Sequence, residues 1–321
     1  MNGMNQYAEA DSQGKKARPV VTALLPVLNA EADIRECMNS VLSQTMKDIE
    51  VLCIDAGSTD GTLEILREYE RKDTRVRVIC SDRKSYGYQM NLGLDAARGE
   101  YIAIVDTDDY ILPEMFEEQE AVMREHRLDF VQADFEYFLG DADRRTFTRE
   151  GIFYPGSPIP YHTVFDPSED FYAFDAKAVT RTGLYSRSFL TENRIHYNET
   201  PGMFCQDHGF RFQTLCRAHR VMTMDKPYYK ARLEYPGTPV CSREKAYALC
   251  AEYDFIRNML KKEPELERKF APLCAKGRFI CYEQTYSRID TGFRKEFSER
   301  FAADFRELMG AGELHGELYS L

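Results

Sequence analysis

Between residues 18 and 140 the chain alternates short apolar runs with apolar stripes at helical spacing. VVTALLPV (Val20–Val27) has the near-continuous apolar character of a strand covered on both faces. Ile34, Cys37, Met38, Val41 and Leu42 then follow a helical period. IEVLCID (Ile49–Asp55) predicts a second strand. GSTDGT (Gly57–Thr62) predicts a turn that opens a helix carrying Leu63, Leu66 and Tyr69. VRVICSD (Val76–Asp82) predicts a third strand. Met90, Leu94 and Ala97 mark the next helix, which Gly99 is expected to cap at its C-terminus. Tyr101–Val105 predicts a fourth strand, Pro113 stands where a helix can begin, and Asp129–Phe138 predicts a fifth strand.

This rhythm predicts an α/β fold with a parallel sheet and right-handed crossovers. Asn29 follows the first strand, Asp55 ends the second, Asp82 and Arg83 end the third, and Asp106 and Asp108 end the fourth. In a parallel sheet all these ends share the carboxyl edge, where α/β proteins bind ligands. The fourth strand is the most demanding case, because Ile102–Val105 runs straight into Asp106, Asp108 and Asp109. A carboxylate buried without a partner costs several kcal/mol. Either these acids are solvated, or a positive group sits among them.

The later pattern is weaker. Gly151–Pro167, rich in Gly, Pro and aromatic residues, reads as a long ordered loop. CQDHGF (Cys205–Phe210) precedes a helical face of Phe212, Leu215, Cys216 and His219. Tyr228–Val240 predicts a strand followed by a Pro-Gly turn. From Arg243 the chain is mainly helical, with one stripe of Ala246, Leu249, Tyr253, Ile256 and Leu260 and another of Phe293, Phe297, Phe301 and Phe305. The second stripe is expected to pack against the rest of the protein. Its polar neighbours are of mixed sign, unlike a basic membrane-binding face.

The 321 residues carry a net charge of -11, which argues against a nucleic-acid partner held by general attraction. No apolar run approaches the ~20 residues that span a bilayer. Residues 1–17 read as a disordered lead-in without a signal-peptide core. The nine cysteines form no CxxC pair, which suggests buried thiols in a reducing, cytoplasmic setting. No GxGxxG follows the first strand, which excludes a dinucleotide oxidoreductase.

An acidic pair such as Asp106-Thr107-Asp108 reads in isolation as a solvated loop or a helix cap. At the end of a buried strand, with Asp55 on the same edge, it suits Mn2+ or Mg2+, which take one or two carboxylates plus substrate phosphates. Ser58, Thr59 or Asp60 can cap a helix, whereas Asp55 precedes the turn and is free to accept from a nucleobase.

LLPVLNAEADIRECMNSVLSQT, EVLCIDAGSTDGT, NLGLDAARGEYIAIVDTDD and MFCQDHGF stand here in the order and spacing of family 2 glycosyltransferases of the GT-A fold, which the chain therefore resembles. TGLYSRSFLTENRIHYNETPGMFCQD and YYKARLEYPGTPV resemble bacterial members that build surface polysaccharides. The resemblance implies a GT-A, Rossmann-like, mainly parallel sheet flanked by helices over residues 18–240. Its two halves would be a nucleotide-sugar half, 18–140, and an acceptor half, 141–240, followed by a helical extension, 241–321. It implies that Pro26, Val27 and Asn29 hold the nucleoside with Asp55 facing the base, that Asp82 and Arg83 line the base pocket, and that Asn91 lies near the donor. Asp106 would reach the ribose or the metal, Asp108 would bind the metal, and Lys230 and Arg232 would close over the nucleotide. Asp207 matches the family's catalytic base, though as a residue ahead of a helix it also suits an N-cap. His208 reads as a first-turn helix residue in preference to a third metal ligand.

The implied activity is metal-dependent, inverting transfer of one sugar from a nucleotide-diphosphate sugar, taken as a UDP-sugar, to a glycan or lipid-linked glycan acceptor. The implied location is the cytoplasm, with peripheral contact at the inner face of the membrane. Gln206-Asp207 replaces the family's Glu-Asp, and KSYGYQMNLG (Lys84–Gly93) replaces an Arg-rich stretch. With no Trp, the QxxRW motif of processive synthases is absent. Acceptor stacking falls to Tyr154, Tyr161 or Phe165, which serve equally to pack their loop. Two alternatives are a sugar nucleotidyltransferase and a non-catalytic nucleotide-sugar-binding domain. The first is disfavoured because PVLNAEADIRE lacks a Gly-rich basic loop.

Overall fold

The computed structural model describes residues 18–140, 144–202, 204–233 and 242–314. The lead-in 1–17 and the turn expected after Leu233 lie outside the described residues. Strands β1 (Val21–Val27), β2 (Ile49–Asp55) and β3 (Val76–Cys80) alternate with helices α1 (Ile34–Leu42), α2 (Thr62–Lys72) and α3 (Tyr86–Ala96). After α3 come β4 (Tyr101–Ile104), β5 (Tyr110–Ile111), α4 (Met115–His126), β6 (Phe130–Leu139) and β7 (Thr146–Glu150). β8 (Leu184–Ser186), α5 (Arg187–Glu192), α6 (Gln206–Arg217) and β9 (Val221–Arg232) complete the sheet and its flanking helices.

The sheet runs β3-β2-β1-β4-β8-β6-β9-β5, with β7 on β6. The first four strands are parallel neighbours, as their alternation with helices predicts. β1 and β2 are buried along their whole length, which explains their unbroken apolar runs. In the second half the sheet becomes mixed. β8 wedges between β4 and β6 and is antiparallel to both, while β5 pairs antiparallel with β9. β8 has three residues and β5 two, too few to leave a periodic signal in the sequence.

The expectation for Gly99 is corrected. α3 ends at Ala96, and its C-cap is Ala97 in an extended conformation. Gly99 instead lies against the first strand, where a Cβ would meet the Thr22 backbone nitrogen at 2.5 Å. Its N–H donates to Thr22 Oγ1 at 2.9 Å. Thr22 in turn donates to Glu50, a buried acid that also accepts from the Arg98 backbone N–H and pairs with Arg77 and Arg98.

The C-terminal helices α7 (Arg243–Leu260), α8 (Pro264–Arg288) and α9 (Arg294–Gly310) form a second apolar cluster that takes in Phe212 and Cys216 of α6. The predicted stripe Ala246, Leu249, Tyr253, Ile256 and Leu260 is buried there. The phenylalanine stripe packs on its neighbouring helix, with Phe301 and Phe305 at 5.2 and 6.3 Å from the Tyr282 ring and Phe297 fully buried. Among the described residues, no helix is long and apolar enough to cross a membrane.

β8 sits so close to β6 that a Cβ on Gly183 would meet the Val131 carbonyl oxygen at 1.7 Å. Gly183→Ala is therefore expected to lower stability by about 1–3 kcal/mol through overpacking, read as a lower urea midpoint at unchanged slope.

Candidate active site

The carboxyl edge of β3-β2-β1-β4 gathers the predicted polar residues, but not all in the same way. Pro26 and Val27 are buried in β1, and the Val27 carbonyl accepts from the Ala56 N–H and from Gln89. Asn29 takes a positive φ of 51° and accepts from the Thr59 N–H at 2.8 Å, so it fastens two loops together. Asp55 is 1% exposed, and both its oxygens are engaged by its own turn: the Gly57 and Ser58 N–H groups and the Ser58 hydroxyl donate to them. The expectation of a free Asp55 carboxylate thus meets a carboxylate already serving as the anchor of the β2–α2 turn.

Asp82 and Arg83 are exposed at the end of β3. Arg83 lies 4.3 Å over the Tyr88 ring and pairs with Glu199 at 3.3 Å, and a hydrogen bond to Asp82 holds the Tyr88 phenol above its ordinary pKa. Asn91 donates to the Tyr197 carbonyl and to Glu199 and accepts from the Tyr197 N–H. It fixes the loop ahead of α6 onto α3. Ser85 adds to this seam by donating to the Thr200 carbonyl at 2.8 Å.

The acids after β4 answer the question that their burial raises. The positive group among them is Arg181, which stands just before β8. Its Nη1 lies 3.3 Å from Asp106 Oδ2 and its Nε lies 3.2 Å from Asp109 Oδ2. Tyr229 of β9 completes the group: its hydroxyl donates to Asp109 Oδ2 at 2.8 Å and accepts from the Asp106 N–H at 3.0 Å. The Arg232 N–H donates to Asp109 Oδ1 at 2.7 Å. Burial pushes the carboxyls of Asp106 and Asp109 upward, and Arg181 opposes that shift. Burial alone would lower Arg181; the charges of Asp106, Asp109 and Asp207 keep it firmly protonated.

Asp207 opens α6 and faces the same cluster. Burial raises its carboxyl above the ordinary carboxylate range, against the pull of Arg181 and a hydrogen bond from Thr180 to Oδ1 at 2.9 Å. Among the described residues no hydrogen bond reaches Oδ2. Gln206, which stands where the family has an acid, turns away and holds the preceding loop through the Gly202 carbonyl and the Phe204 N–H. His208 lies in the interior beside Tyr253 and Cys281. Burial lowers its imidazole to about 4.

Lys230 and Arg232 are less free than expected. Lys230 is 8% exposed, paired with Glu136 and donating to the Pro227 carbonyl. Arg232 pairs with Asp33 at 2.7 Å and lies 4.8 Å over Phe138. Of the aromatic acceptor candidates, Tyr161 donates to Asp134 and Phe165 packs on Phe153, while Tyr154 stays exposed.

The donor set suits a divalent cation completed by substrate. Asp106 Oδ1 is buried and has no hydrogen-bond partner among the described residues, and Asp108 two residues on is exposed. Among the described residues no group of three or more His, Cys, Asp or Glu is arranged to hold a metal ion by itself. A separate cleft of ≈ 600 Å³ at the amino edge is lined in part by cations paired with acids, Arg75 with Asp73 and Arg98 with Glu50.

The sequence reading missed Arg181, Tyr229 and Gln89. Gln89 is buried and its amide donates to both the Val27 and the Ile54 carbonyls, tying two strand ends. No local pattern marks these residues, because every partner lies far along the chain.

A parallel half-sheet with acids at its carboxyl edge is joined to a mixed half, and Asp207 of α6 comes to the same edge. Residues 22–189, more than half of the chain, match the family described as glycosyl transferase family 2, and the chain belongs to that family. It is 37% identical over 129 residues to the glycosyltransferase EpsJ of Bacillus subtilis, covering 40% of this chain and 37% of that protein. It is 27% identical over 216 residues to the putative glycosyltransferase EpsH of the same organism, covering 67% and 61%. A poly(ribitol-phosphate) beta-glucosyltransferase of Bacillus spizizenii is 31% identical over 217 residues, covering 65% of this chain and 32% of that protein. These matches span only part of each relative's length. Among solved structures, S. aureus TarS 1–349 in complex with UDP-GlcNAc shares the fold, with TM-score 0.58 and 19% identity over 91% of this chain and 92% of that one.

One buried acid outside the cluster bears on it. Glu252 of α7 is 1% exposed and accepts from the Gly209 N–H in the first turn of α6 and from Asn198. Burial pushes its carboxyl up to about 8, against an ordinary value of 4.5. Between those two values the folded state keeps a proton that the unfolded state has released, so stability falls as pH rises. The slope contributed is up to ~1.4 kcal/mol per pH unit. Glu252→Gln is expected to flatten the stability curve over that window, measured by urea unfolding at a series of pH values.

Proposed function

We propose that this glycosyltransferase moves one sugar from a UDP-sugar to a hydroxyl of a glycan or lipid-linked glycan acceptor, with inversion and with help from a divalent cation. The observation that carries the reading is the placement of Asp207, with one carboxylate oxygen held by Thr180 and the other without a hydrogen bond among the described residues, facing the acid cluster at the end of β4. A UDP donor is supported by the fold shared with TarS, a protein solved with UDP and with UDP-GlcNAc. A role in bacterial surface-polysaccharide synthesis is supported by the similarity to a poly(ribitol-phosphate) beta-glucosyltransferase. We place the enzyme in the cytoplasm, meeting a lipid-linked acceptor at the membrane's inner face.

In this reading the exposed Asp82 and Arg83, with Tyr88, line the base pocket. Asp55 acts by shaping the turn that the nucleoside rests on. Lys230 and Arg232 close the donor cleft from β9. Asp207 Oδ2 takes the proton of the acceptor hydroxyl while that oxygen attacks the anomeric carbon. The bond from that carbon to the diphosphate oxygen breaks, the electron pair leaves with the diphosphate, and a single displacement inverts the centre. Burial raises the basicity of Asp207, which suits it to the task. Mn2+ or Mg2+ on Asp106 and Asp108 would offset charge on the departing diphosphate. Arg181 lies on the same side and adds fixed positive charge where the leaving group would sit.

Asp207→Asn is expected to lower kcat about 10²–10⁴-fold with little change in donor KM, measured by UDP release. UDP with Mn2+ is expected to raise stability by ~2.7 kcal/mol at 100 times its dissociation constant, and Asp108→Asn is expected to remove that rise. Folded protein that shows no metal-dependent shift with any nucleoside diphosphate would overturn the donor-site reading.

A further inference from the structure

The acid cluster already holds a cation of its own. Arg181 carries its guanidinium into the pocket with only 22% of its side chain exposed, between Asp106 and Asp109. A divalent ion on Asp106 would therefore arrive beside a fixed positive charge, which repels it in a pocket of reduced dielectric. Asp106 Oδ1 is buried and has no hydrogen-bond partner among the described residues, while Arg181 Nε is held by charge 3.2 Å from Asp109 Oδ2. A lone cation on Asp106 satisfies that oxygen but meets the Arg181 charge. A cation that comes with a diphosphate brings negative charge with it, which offsets that repulsion.

We propose that Arg181 is the resident counterion of this cluster, and that it makes metal binding conditional on the nucleoside diphosphate. Arg181 keeps Asp106 and Asp109 in place while the site is empty, and it discriminates against bare metal. The inference rests on the reading that Asp106 and Asp108 hold the metal with the donor. Binding couplings are reciprocal, so the factor by which UDP tightens Mn2+ equals the factor by which Mn2+ tightens UDP. Arg181 should be a main source of that factor.

The test measures Mn2+ binding by calorimetry, with and without UDP, on the full chain. Wild type is expected to bind Mn2+ weakly alone and strongly with UDP. Arg181→Gln is expected to bind Mn2+ alone about tenfold tighter or more, and its coupling to UDP is expected to shrink by a similar factor. Arg181→Lys, which keeps the charge, is expected to stay near wild type. Removing one member of a buried charge pair can unfold a protein. If circular dichroism shows that for Arg181→Gln, the comparison is made with Arg181→Gln/Asp109→Asn, which removes the pair together and leaves Asp106 intact. Equal affinity for Mn2+ alone in wild type and the charge-free variant would overturn the counterion role while leaving the donor site standing. Absence of any Mn2+ binding with UDP in all folded variants would overturn the donor-site reading and this inference with it.

Discussion

Three carboxylates share one poorly solvated pocket, and most of the second half of the fold is arranged to make that tolerable. Asp106 and Asp109 leave β4, Asp207 opens α6, and Arg181 meets them from just before β8. A buried lone charge costs several kcal/mol, so the guanidinium must arrive together with the acids. That demand accounts for β8. This three-residue strand sits between β4 and β6, antiparallel to both, and so delivers Arg181 to the carboxyl edge of a parallel strand. It also accounts for the pairing of β5 with β9, which sets Tyr229 against Asp109 and closes the pocket from the far side. A neutral phenol there completes the hydrogen bonding without adding a second cation.

The parts legible in the sequence are those whose stabilisation is local and repetitive. β1 and β2 announce themselves because both faces are buried, and α1 because its apolar residues fall on one side. The carboxyl-edge position of Asp106 follows from those strands alone. Arg181, Tyr229 and Gln89 act through single contacts with residues distant in the chain, and no periodicity precedes such contacts. β5 and β8 are too short to carry a period. Asp55 and Gly99 illustrate a different limit. Their residue types were informative, but one candidate role hid another. Asp55 offers its oxygens to its own turn, and Gly99 serves close strand approach in place of a helix cap. Lys230 was visible as a cation, whereas its partner Glu136 on a neighbouring strand was not.

The C-terminal helices bear on the position of Asp207 through α6. Phe210 and Leu215 of α6 belong to the main core, while Phe212 and Cys216 belong to the cluster formed by α7, α8 and α9. One helix thus carries the edge of two apolar cores, and Asp207 stands at its first turn. The two cores are joined there by a polar tie as well, since Glu252 of α7 accepts from Gly209 and from Asn198 on the loop that Asn91 holds to α3. The same helices are also tied by charge, with the buried Arg278–Asp304 pair extended outward to Arg300 and the partly exposed Asp254. Side-chain geometry near a reacting centre has to be held to a fraction of an ångström, and packed cores are stiffer than loops. Anchoring α6 from both sides gives the Asp207 carboxylate that stiffness, so the helical extension helps to fix the position of Asp207 and is more than an appendage to the sheet.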